Sequence, residues 1–179
     1  LLSMPMMDKI KGTIIAVPIV NSYGFNTKSR YLPDRRDLNR SFPGASEGSL
    51  AGRLAYIFVT EIVNQSTHGL DFHTGAINRS NLPQVRAKLD GKGVRAMAND
   101  FSAPVTMNDD VRDGSLREYC FSNDIPVLVF EGGEALRYSE KSITCAVNGA
   151  INVMVGLDML PPSEKLENSQ DTINISGGS

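Results

Sequence analysis

Apolar positions in this chain fall into a few short runs separated by long polar stretches. Gly12 to Val20, GTIIAVPIV, is β-branched and bounded by Gly and Asn, which predicts a buried strand. Pro18 suits an edge or the end of such a strand better than its middle. Leu50, Leu54, Ile57, Phe58 and Ile62 recur at helical spacing behind Ser49, a suitable N-cap, and the polar NQSTHG ends that helix. Gly69 to Gly75, GLDFHTG, has the pattern of a short strand that stops at polar residues. Ser115-Leu116-Arg117-Glu118 is a capping box and opens a helix that carries Leu116, Tyr119 and Cys120 inward. Ile125 to Phe130, IPVLVF, is the strongest buried strand, and it ends on Glu131-Gly132-Gly133. Ser139 caps a long helix with the stripe Ile143, Val147, Ala150, Met154 and Leu157, and Pro161-Pro162 ends the domain. Residues 76–112 are weakly patterned but too long for a simple loop; one strand or helix within Met97 to Met107 is all they offer. The alternation of strands and helices predicts an α/β sandwich with a mostly parallel or mixed sheet, without internal repeats.

One stretch fits neither period. Ser29 to Gly44, SRYLPDRRDLNRSFPG, packs Arg30, Arg35, Arg36 and Arg40 around Pro33, Asp34, Asp37 and Asn39, and NSYGFN leads into it as a loop. With few hydrophobic side chains, its order is expected to come from hydrogen bonds and from what it binds. Asn39 beside Arg40 offers a neutral amide and a planar fork of donors, which suits a carboxylate. Taken alone, the segment would read as a solvated basic loop.

Composition narrows the function classes. The 179 residues suffice for one domain with a real core, and 41% hydrophobic with 21% charged residues is ordinary for a soluble globular chain. A net charge of −2 gives no electrostatic footprint for nucleic acid or an anionic membrane, so the arginine cluster is a local feature. No apolar run approaches the length of a membrane span. Cys120 and Cys145 form no CxxC pair and read as free thiols of a reducing compartment, the cytoplasm, with a single disulfide as the alternative.

His73, two residues after Asp71 at a strand end, can bind a metal, and the carboxylate can orient a ligand or neighbour. A lone strand-end His more often only hydrogen-bonds. Glu131 leaves a buried strand before two glycines. Poor solvation there favours the working range of a general base, and the glycines allow close approach; a Glu simply turned to solvent is the ordinary alternative. His68 and His73 are five residues apart along an extended element, so they face opposite sides and share no metal. Together these parts suit a metal-assisted amide hydrolysis, with Zn²⁺, a Glu as proton shuttle and arginines on substrate carboxylate and oxyanion.

SRYLPDRRDLNRSFPG, then LDFHTG, then VLVFEGG, preceded by GTIIAVPIVNSYGF, resembles the succinylglutamate desuccinylase/aspartoacylase family over roughly residues 10 to 160, in the family's order. The resemblance implies a zinc-carboxypeptidase-like fold, a three-layer α/β sandwich with a mixed, mostly parallel central sheet. It implies that His73 is a zinc ligand with Asp71 behind it. Asn39 and Arg40 would bind the substrate carboxylate, Arg30 would polarise the scissile carbonyl, and Glu131 would be the general base. The implied partner is a small acylated amino acid or related amide, with no nucleic acid or membrane; a homo-oligomer is compatible with this. One departure stands out: the family's upstream His-x-x-Glu pair, its first two zinc ligands, has no counterpart here, so the Zn²⁺ site is incomplete in this chain. The expected organisation is a catalytic-type α/β domain over residues 1–160, cut at its N-terminus, and a linker over 161–179 toward a missing C-terminal domain. The parent would be a zinc-dependent amidohydrolase, with this fragment inactive alone. The alternatives are a carboxypeptidase-like peptide hydrolase and a non-catalytic carboxylate-binding domain.

Overall fold

The computed structural model describes residues 1–166 and 172–176. Along the chain lie α1 (Ser22–Thr27), α2 (Leu50–Glu61), β1 (Gly69–Gly75), β2 (Asn81–Ala87), α3 (Val94–Phe101), β3 (Val105–Asn108), α4 (Leu116–Ser122), β4 (Val127–Glu134), α5 (Glu140–Gly156) and β5 (Ile173–Ser176). These divide between two units. One comprises Leu1–Thr13, Leu70–Asp110 and Val127–Ser179; the other comprises Ile14–Gly69 and Val111–Pro126.

The first unit holds the sheet, in the order β1-β4-β2-β3-β5. β2 runs parallel to β3 and β3 parallel to β5, whereas β2 and β4 are antiparallel, so the α/β class with a mixed, mostly parallel sheet is the one this chain has. On β2, Pro83, Val85 and Ala87 are buried and alternate with half-buried Gln84 and Arg86, the period of a strand with one core face. On β4, Leu128 and Phe130 point to that same core, where Val94, Met97, Ala98 and Phe101 of α3 and Val153 of α5 meet them. Packing is close enough that α5 needs glycine: a Cβ on Gly149 would lie 2.4 Å from the Phe101 ring, and one on Gly132 of β4 would lie 3.0 Å from Ser142. The buried amide of Asn152 is satisfied by the backbone of Leu166, donating at 2.9 Å and accepting at 2.8 Å.

The second unit has its own core: Leu32, Leu38, Phe42, Ala51, Ala55 and Val59. Three of these belong to the arginine-rich segment, so burial orders it to a degree its composition conceals. Hydrogen bonds do the rest. Asp34 accepts from Ala51 N at 2.9 Å, capping the start of α2 beside Ser49, which accepts from Gly52 N. Asn39 Oδ1 accepts from Leu116 N at 3.0 Å, serving the first turn of α4, where Ser115 accepts from Glu118 N. The segment thus ties down the N-termini of two helices.

Several expectations need correction. Gly12 to Val20 joins no strand ladder among the described residues. Ile15, Val17 and Ile19 are exposed there, and a β-branched run becomes a strand only where a neighbouring backbone pairs with it. NSYGFN is not a loop: Asn21 accepts from Gly24 N as the N-cap of α1, which takes in the rest of that stretch. Residues 76–112 hold β2, α3 and β3 in place of the single element foreseen. β4 runs on to Glu134, so Glu131 sits inside the strand and not at its end. Within the stretch expected to be a linker, Ile173–Ser176 forms β5 beside β3; residues 167–171 and 177–179 of that stretch lie outside the described residues.

Candidate functional site

In the first unit, β1 and β4 are neighbours in the sheet and carry His73 and Glu131. Asp71 and His73 share a side of β1 by the two-residue period, and His73 Nε2 lies 2.8 Å from Asp71 Oδ2. A carboxylate at that distance fixes the proton of a neutral imidazole on Nε2 and the lone pair on Nδ1, the nitrogen suited to a metal. Glu131 is half-buried, with a side chain 21% exposed. Its Oε2 accepts from Asn81 Nδ2 at 2.8 Å, and its Oε1 lies 3.8 Å from Arg86 Nη1. Neither Asn81 nor Arg86 was singled out from sequence.

In the second unit, Arg30 donates through Nε to Asp37 Oδ2 at 2.8 Å, with Nη2 equally close. Asp37 accepts from Asn39 N at 2.9 Å, which closes the short 3₁₀ turn Leu38–Arg40. Asn39 Oδ1 accepts from Leu116 N, and its Nδ2 carries two N–H donors, the chemistry a carboxylate accepts. The Arg40 side chain is exposed and its guanidinium donates to the carbonyl of Asn39. Gly114 has φ +70°, and a Cβ there would come within 2.7 Å of the Arg40 carbonyl oxygen, so a side chain at 114 would displace this turn. Asp34 is held below the usual carboxylate range, chiefly by the N–H of Ala51.

The structure therefore joins Asp71 to His73 in one unit and links Arg30, Asn39 and Arg40 through Asp37 and the 3₁₀ turn in the other. His68 bonds Thr67 at 3.0 Å and burial lowers its pKa. Cys120 and Cys145 are not joined in a disulfide, and burial raises the pKa of Cys145. For zinc, His73 is the candidate imidazole among the described residues. No three His, Cys, Asp or Glu side chains gather among them as a metal-holding group, so they do not by themselves make a zinc site.

A family model, the succinylglutamate desuccinylase/aspartoacylase catalytic domain, matches residues 1–157. A 77-residue stretch is 34% identical to the N-alpha-acetyl-L-2,4-diaminobutyric acid deacetylase of Halomonas elongata, covering 42% of this chain and 22% of that protein. The product-bound ectoine utilization protein EutE (DoeB) from Ruegeria pomeroyi superposes with a TM-score of 0.83 at 26% identity, over 96% of this chain and 54% of that one. A succinylglutamate desuccinylase/aspartoacylase from Rhodobacter sphaeroides shares the fold, with a TM-score of 0.84 at 22% identity over the same shares. The chain spans about half the length of these solved relatives. With residues 1–157 of its 179 matched to the family's catalytic domain, this chain belongs to the succinylglutamate desuccinylase/aspartoacylase family.

Proposed function

We propose that this chain belongs to an amidohydrolase that removes the acyl group from a small N-acylated amino acid or related amide. The observation that carries the proposal is the match of residues 1–157 to the catalytic domain of a deacylating family. The deacetylase likeness in Halomonas elongata supports an acylated amino acid as substrate. In this reading Asn39 and Arg40 hold the substrate carboxylate with amide and guanidinium N–H groups. Arg30, oriented by Asp37, stabilises the oxygen of the scissile carbonyl as charge develops on it. Glu131 takes a proton from the attacking water and returns one to the departing amine. The family's zinc would receive one donor, His73, from these residues, with Asp71 fixing the ring.

The test is a substrate panel on the intact protein. N-acetylated and N-succinylated amino acids are expected to be hydrolysed at least tenfold faster, by kcat/KM, than short peptides, a margin of about 1.4 kcal/mol. The Arg40→Ala variant should raise KM for the acylated amino acid by about tenfold or more, the loss of a charged hydrogen bond. Equal or better turnover of peptides would favour a carboxypeptidase-like activity. Binding of carboxylates without any hydrolysis would favour a purely binding role.

A further inference from the structure

The pairing of β2 with β4 contains an irregularity whose position matters. Gln84, Val85 and Arg86 face Glu131, Phe130 and Val129 in regular antiparallel register. Continued without a break, that register would set Leu82, not Asn81, opposite Gly133. The structure pairs Asn81 with Gly133, so Leu82 and Pro83 together oppose Gly132. This is a β-bulge, and Pro83 explains it in part, because a residue without an N–H disrupts the ladder. By strict alternation Asn81 would share the core side of β2 with Pro83, Val85 and Ala87. The bulge turns it over, onto the side of Gly133 and Glu131. There its Nδ2 meets Glu131 Oε2 at 2.8 Å.

We infer that Asn81 is a positioning residue for Glu131: its amide fixes the rotamer and the free face of the carboxylate that acts as base. A Glu side chain has three rotatable bonds, and a base loses rate steeply when it wanders from the proton it must take. The amide holds one oxygen and leaves the other, Oε1, for the water. A neutral amide orients the carboxylate through one directed hydrogen bond. Arg86 adds a longer charge contact to the same carboxylate: its Nη1 lies 3.8 Å from Glu131 Oε1, and its Nε lies 4.0 Å from Asp109 Oδ2. The inference rests on Glu131 being the base.

A double-mutant cycle on the intact protein tests it, with folding checked by thermal melting. Asn81→Leu is expected to lower kcat by about tenfold or more with KM within about twofold. Asn81→Asp, which keeps the shape and removes the donor, should fall at least as far. Asn81→Gln, which keeps the amide, should recover part of the loss. In a Glu131→Gln background, Asn81→Leu should change kcat less than about twofold, because the group it positions is gone. An equal fold-loss in both backgrounds, or a change confined to KM, would overturn the inference while leaving the base in place. Native kcat in Glu131→Gln alone would remove the base assignment and this inference with it.

Discussion

Asn39 meets two demands with one amide. Its oxygen serves the backbone of α4, and its nitrogen is the group proposed to meet a substrate carboxylate. Substitution can separate the two. Asn39→Asp keeps an acceptor at the start of α4 but sets a negative charge where an anion should bind. Its melting temperature should therefore stay near native while KM rises by about tenfold or more. Asn39→Ala should lose both, with about 1 kcal/mol of stability as well. Asp34 makes a prediction in pH. Its folded pKa is depressed by the N–H groups of Ala51 and Arg36, so its contribution is present above the ordinary carboxylate pKa and is lost as pH falls through the lowered folded value. Acid unfolding followed by circular dichroism should be less steep in Asp34→Asn, which carries no proton-linked share. At this scale the sequence was informative about residue type and silent about partners. Arg30, Asn39, Arg40, His73 and Glu131 stand out by chemistry, whereas Asp34, Asp37 and Asn81 gain their meaning only from what they touch.

Among the elements, those with long apolar runs or explicit caps were legible: α2 behind Ser49, α4 behind Ser115, β4 and α5. Those missed had signals of a weaker kind. Val94, Met97, Ala98 and Phe101 lie at one face of α3, a 3.6-residue pattern confined to a single short helix with no side-chain cap. β2 alternates correctly from Pro83 to Ala87, but a proline at the head of a run and a bulge beside it mask the period. GTIIAVPIV erred in the other direction, since composition can favour a strand without supplying its partner. The α5–α3 contact yields a direct test. Gly149→Ala puts a methyl group into the Phe101 ring, and overpacking of this kind should cost about 1–3 kcal/mol by denaturant unfolding. A loss under about 0.5 kcal/mol would mean that the ring can move aside.

Across the whole molecule, fold class and family were readable because they depend on the order of a few strong segments, not on every boundary. The presence of two separate cores was not readable: apolar residues in sequence carry no label for which core they join. Leu128→Ala, at the centre of the sheet's core, should cost about 2–5 kcal/mol, and it provides a calibration for the milder changes above. The proposed function rests on a smaller set of residues, with Glu131 as its proposed base. The most direct measurement is kcat of Glu131→Gln in the intact protein on an N-acetylated amino acid. The expected result is a fall of about 100-fold or more with KM near native. A kcat within about threefold of native would contradict the account, since it would leave the proposed hydrolysis without its base.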